Sequence, residues 1–179
     1  MPRENPEVSW LRSSKPTIDE TAFVDPKAEV IGNVIIGKYS YIAPFSILRA
    51  DEGSPILIGS KTNVQDGVII HALKNTMVKV GDEVSLAHGC IVHGKAEIGD
   101  NSFVGFRAII LNSKVGKGCF IGHGAIVIDA EIPNGKFVPH GHVVRKNEVF
   151  SDVDDEQKKF MKEVIDVNVE LAKAYKKLD

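Results

Sequence analysis

Aliphatic residues recur at every sixth position along most of this chain: Val24, Val30, Ile36, Ile42 and Leu48, then Ile58, Val64 and Ile70, then Val80, Leu86, Val92, Ile98, Val104 and Ile110. After one-residue shortenings the series resumes at Val115, Ile121 and Val127, and again at Ile132, Val138 and Val144. A period of six matches neither an amphipathic helix nor a simple half-buried strand, so each hexad reads as one short strand and a turn. Three hexads close a triangular coil. Stacked coils bury a column of aliphatics, each worth roughly 1.5–3 kcal/mol against exposure. The pattern therefore predicts an all-β, parallel β-helix whose open ends need caps.

The residue after the aliphatic is often glycine, as at Gly37, Gly59, Gly81 and Gly99, and the fourth residue after it is small or β-branched, as at Ser40, Thr62, Cys90 and Ala108. Two interruptions break the period. Leu48 to Ile58 and Ile70 to Val80 are ten residues each, so RADEGSP and HALKNTM each hold four extra residues, leaving the same corner of consecutive coils. Loops on a rigid scaffold are where binding and chemistry are usually carried. Residues 1–23 read as an extended lead-in that covers the first coil, and residues 24–148 as the β-helix. From 149 to 179 the period changes. Ser151, with Asp154 three residues on, predicts an N-cap and capping box. Phe160, Val164, Val167, Leu171, Tyr175 and Leu178 then predict an amphipathic helix packed on the β-helix or against a neighbouring subunit.

Charge narrows the function classes. Twenty-two basic and twenty-four acidic residues leave a formal charge of −2 without a Lys/Arg-rich block, which argues against nucleic acid. No apolar run approaches the ~20 residues of a membrane helix, and MPRENPEVSW lacks the apolar core of a secretion signal. The expectation is a cytoplasmic protein without a membrane partner. Cys90 and Cys119 suit a reducing compartment and take the small inward position of the hexad, so they read as core residues.

Candidate chemistry concentrates in DGVIIHALKNTMVKVGDEVSLAHGCIVHG, which holds three of the six histidines. His71 follows Ile70 and His93 follows Val92, twenty-two residues apart, which is one coil of eighteen plus the four-residue loop. Equivalent positions in adjacent coils are ~4.8 Å apart, so both imidazoles can reach one metal ~2.1 Å from each. Arg49 shares their column. His88 lies on the preceding face, with Asp66 in register, and points away from the pair. Three prisms about a threefold axis would bring the His71/His93 edge of one chain against His88 of the next. Three imidazoles with an open fourth position form a hydrolytic or hydration centre for an ion such as zinc or iron. His123 and His140 share the register of His88, separated from it by Phe106, and with His142 read as exposed surface histidines.

The runs LRADEGSPILIG, NVQDGVIIHAL, VSLAHGCIVHG and VGFRAIILNSKVG resemble the gamma-class carbonic anhydrases, and the likeness runs from about residue 20 to 178, including VNVELAKAY in the final helix. The resemblance implies a left-handed β-helix and a homotrimer with a divalent ion, Zn2+ or else Fe2+ or Co2+, at each subunit interface. Its ligands would be His71 and His93 of one chain and His88 of the next. The implied reaction is the reversible hydration of carbon dioxide to bicarbonate by a metal-bound hydroxide, a lyase activity. By motif, Arg49 and Asp51 would form an interface ion pair with Asp66 as interface support. Gln65 would hydrogen-bond the bound water or bicarbonate, Asn168 would position substrate, and Glu52 would transfer protons. Two departures bear on turnover: HALKNTM lacks the longer acidic insertion of many members, and Asp166 stands where a tyrosine sometimes precedes the helix asparagine. A hexapeptide acyltransferase using acyl-CoA and a weakly active or inactive metal-binding scaffold are the alternative readings.

Overall fold

A computed structural model describes residues 2–145 and 148–178. Residues 1, 146, 147 and 179, which fall within the predicted lead-in, β-helix and helical segments, lie outside the described residues. The chain winds as a left-handed parallel β-helix with one C-terminal helix. Three sheets form the prism walls. One runs from Pro2–Arg3 through Ile47–Ala50, Ile69–His71 and Ile91–His93 to Ile126–Ile128, and a second from Thr17–Ile18 through Val78–Val80 to Glu131–Ile132. The third runs from Phe23–Val24 to Lys136–Val138 and ends in Ser151–Asp152, which pairs antiparallel. The lead-in thus supplies the first strand of two walls, since Pro2 pairs with Val30 and Thr17 with Ile35.

The sixfold aliphatics from Val30 to Val138 are the interior, together with the small residues of each hexad. Burial pushes the thiols of Cys90 and Cys119 above their ordinary pKa, as fits inert core cysteines. Ile110 is fully buried between coils. Ile110→Ala should therefore cost about 2–5 kcal/mol in a chemical denaturation experiment, because neighbouring rungs cannot collapse into the void.

The three walls present different outer surfaces. On the second, Lys79, Glu97, Lys114 and Glu131 stand one above another, an alternating charge ladder. The third is covered by the helix Asp155–Tyr175. The first carries an outward column of Ile47, Ile69, Ile91, Ile109 and Ile126 beside the outward Arg49, His71 and His93.

Two details of the helix differ from the pattern-based expectation. Asp154, not Ser151, is the N-cap: its carboxylate accepts the Gln157 N–H at 2.8 Å, and Gln157 Oε1 accepts the Asp154 N–H at 3.0 Å. Ser151 is instead engaged in the strand beside Phe137. The buried face is Met161, Ile165, Asn168 and Ala172, each one residue past the predicted stripe. Met161 enters the Phe103/Phe120 cluster and Ala172 seats against Phe23 and Tyr41, and these smaller groups let the helix approach the wall. Phe160 and Tyr175 flank the seat as ring contacts to Phe103 and Phe23. Val167 and Leu171 remain 56% and 39% exposed, so the helix carries a second, open apolar stripe.

Candidate metal centre

The two interrupted hexads stack as expected. Gly53 N–H donates to Ala72 O at 2.9 Å and Ser54 N–H to Thr76 O at 3.0 Å, tying the 51–55 loop to the 73–77 loop above it. Directly beside these loops, Arg49, His71 and His93 are register partners on the first wall. His71 Nδ1 and His93 Nε2 face each other at 3.1 Å. That separation suits one shared proton or one ion ~2.1 Å from each nitrogen. Burial, followed by the nearby Arg49 guanidinium, holds the His71 imidazole below its usual pKa, so the ring is neutral at pH 7 with a lone pair to give. Its Nε2 is buried, makes no hydrogen bond, and faces Asp51 Oδ1 at 3.4 Å and Glu52 Oε2 at 3.7 Å. Carboxylates behind a ligand imidazole fix its tautomer and orientation.

The acids are themselves anchored. Asp51 Oδ2 pairs with Arg49 Nε at 3.1 Å inside the one chain, and Glu52 Oε1 accepts the Lys74 backbone N–H at 3.2 Å. Gly94, next to His93, has φ +77, and a Cβ there would lie 2.1 Å from Asn112 Oδ1. Only glycine fits that corner, which sets where the His93 strand ends.

His88 belongs to a different place. It lines an open pocket of about 380 Å³ with Gln65, Phe103, Phe106, Phe160, Glu163, Val164, Val167 and Asn168, between the third wall and the helix. Asp66 Oδ2 holds its Nδ1 at 3.0 Å. Gln65 is buried and donates through Nε2 to Asn63 Oδ1 at 3.0 Å, and Asn63 donates in turn to Ser85 Oγ at 2.8 Å, which leaves Gln65 Oε1 for the pocket. Asn168 donates to Val164 O at 2.8 Å, a local bond that frees its carbonyl. The sequence-predicted residues thus form two half-sites: Arg49, Asp51, Glu52, His71 and His93 in one, and Gln65, Asp66, His88 and Asn168 in the other. Among the described residues no three His, Cys, Asp or Glu side chains of one chain converge to hold a metal.

Of the later histidines that the sequence suggested were exposed surface groups, His140 is exposed, whereas His123 and His142 are half-buried. His123 Nδ1 accepts the Phe106 N–H at 3.0 Å, His140 Nδ1 accepts the His123 N–H at 2.8 Å, and the rings of Phe106, His123 and His140 stack. Burial, then the adjacent His140, lowers the His123 pKa. His142 contacts Glu148 at 2.6 Å. Sequence reasoning also missed the outward isoleucine column. Its signal was present in the doubled aliphatics of ILRA, IIHA, IVHG, IILN and IVID, where both faces of a strand are apolar.

No protein-family model matches the chain. Over 132 residues it is 39% identical to a carbonic anhydrase of Methanosarcina thermophila, covering 63% of this chain and 53% of that protein. This likeness supports the resemblance to the gamma-class carbonic anhydrases. A second likeness is to the carboxysome assembly protein CcmM of a Nostoc species, 41% identical over 61% of this chain and 22% of that protein. The chain thus spans about half, and about a fifth, of the length of these two relatives. Among solved structures, a Bacillus cereus protein assigned as an acetyltransferase superposes with a TM-score of 0.84 at 30% identity, over 93% of this chain and 94% of that one. A hexapeptide transferase family protein of Anaplasma phagocytophilum does so with 0.80 at 26% identity, over 90% and 93%. Among the described residues no helix is long and apolar enough to cross a membrane.

Proposed function

We propose that this protein is a metal-dependent carbonic anhydrase that reversibly hydrates carbon dioxide at sites completed between the subunits of a homotrimer. The observation that carries this reading is the division of the candidate residues into two half-sites. Among the described residues the His71/His93 pair has no third His, Cys, Asp or Glu converging on it, and His88 has no second histidine in its pocket. The isoleucine column beside the pair supports the trimer, since a contiguous apolar wall on a folded chain marks an interaction surface.

His71, His93 and the neighbouring subunit's copy of His88 would hold the ion: zinc, or iron(II) or cobalt(II), which the same imidazole set accepts. Such an ion would lower the pKa of water at the site to about 7 and so supply a nucleophile at neutral pH. Gln65 Oε1, left free on the pocket side, would accept a hydrogen bond from the attacking water and aim it. Asn168 positions the carbon dioxide oxygens, and Phe106, Val164 and Val167 provide an apolar wall for a linear, uncharged substrate. Asp51 orients His71 from behind. Glu52, anchored by the Lys74 amide, takes the proton released in each turnover and passes it to buffer.

The test combines metal per chain, molecular mass and stopped-flow hydration after zinc or anaerobic iron loading. One ion per chain, a trimer and accelerated hydration support the reading. Stoichiometric metal without hydration favours a scaffold, the role that CcmM's name carries. The two transferase-like structures motivate the remaining reading, and acetyl-CoA-dependent acyl transfer without hydration would establish it instead. Glu52→Ala should lower turnover most in dilute buffer and recover partly in concentrated imidazole. An equal deficit at all buffer concentrations removes Glu52 from proton transfer.

A further inference from the structure

We propose that Phe106 is a positioning residue for His88, holding its imidazole in one orientation, and that His123 and His140 hold Phe106 in turn. This rests on the reading of His88 as a metal ligand.

His88 stands on an exposed corner, its side chain 56% accessible, followed by Gly89 at φ +69. Within its own chain little packing restrains such a ring. Two contacts do: Asp66 at Nδ1 and the Phe106 ring, 5.4 Å between centroids and 27° from parallel. One contact sets which nitrogen is held back, and the other sets the plane, leaving Nε2 directed outward.

Phe106 would be equally loose on its own, being 43% exposed. Its other face lies on His123 at 4.4 Å and 14°, and His123 lies on His140 at 4.7 Å and 12°. Each of these imidazoles is also pinned through Nδ1 by the backbone N–H one coil below, at 3.0 and 2.8 Å. An Nδ1 that accepts cannot carry the proton, so on both rings the N–H is at Nε2. Stack and hydrogen bonds therefore act together to present a rigid aromatic face to Phe106. A generic stabilising ladder would need no continuation onto His88. Here the column ends on it.

The test uses the whole trimer with 13C-labelled histidine, and cobalt(II) as the metal probe. In metal-free wild type, the His88 Hδ2 and Hε1 resonances, identified by their loss in His88→Ala, should be shifted upfield by the Phe106 ring. Phe106→Leu, which keeps apolar bulk without a π-face, should abolish that displacement and broaden the signals, whereas Phe106→Tyr should preserve it. Cobalt(II) affinity, read from its visible absorption, should fall about three- to tenfold in Phe106→Leu at unchanged trimer mass, the range an aromatic stack contributes. It should stay within about twofold in Phe106→Tyr. Unshifted His88 resonances in wild type would overturn the inference, as would equal losses in the Leu and Tyr variants. If wild type takes up no cobalt(II), the metal reading falls, and the His88 resonances still decide the positioning role.

Discussion

Trimers assembled from equal amounts of His93→Ala and His88→Ala chains should regain about a quarter of the wild-type hydration sites, although each variant alone is inactive. Neither variant can build a complete ligand set by itself, because every interface lacks either His93 or His88. In a mixed trimer, an interface is complete when the chain giving His71 and His93 is the His88→Ala chain and its neighbour is the His93→Ala chain. Random assembly makes that pairing in about one interface in four. Metal per chain should recover in the same proportion as activity. The structure motivates the experiment directly, since His71 and His93 face each other on one wall while His88 sits with Gln65 and Asn168 by the helix. Mixed trimers seen by mass spectrometry but devoid of metal and activity would sink the shared-site reading.

The second large effect concerns the apolar wall. Ile91→Asp should convert the proposed trimer to monomers and remove metal binding with it, while the β-helix itself stays folded. Ile91 points outward between Ile69 and Ile109, so the substitution leaves the interior column of Ile70, Val92 and Ile110 untouched. Burying an unpaired carboxylate at a subunit contact costs several kcal/mol per chain, repeated at each interface. Light scattering would report the mass, circular dichroism the fold, and elemental analysis the metal. A trimer of wild-type mass in this variant would place the subunit contact elsewhere.

Local and periodic features of the fold were readable in the chain. The sixfold aliphatics mark the interior because a triangular coil returns each of them to the same axis, and the structure buries them from Val30 to Val138. The stacking of His71 on His93 followed from counting, since one coil plus one four-residue loop separates them. The C-terminal helix was harder. Its heptad-like stripe and the face it buries differ by one position, because Ala172 and Asn168 permit a closer seat than Val167 and Leu171 would. Propensity cannot register what the opposing wall will accept. The stack of His123 and His140 on Phe106 was missed for a related reason: a column of rings has meaning only once coil spacing makes them touch.

The sequence alone determined the β-helix, its interior, its two loops and the equivalence of Arg49, His71 and His93, because all of these depend on period and register, which are properties of order along the chain. The tertiary structure decided which residues meet beyond that register: Gln65 with Asn168 between wall and helix, and His71 with Asp51 at the loop corner. Those meetings depend on how a helix docks and where side chains turn at corners, and no spacing in the sequence encodes the distance between two walls.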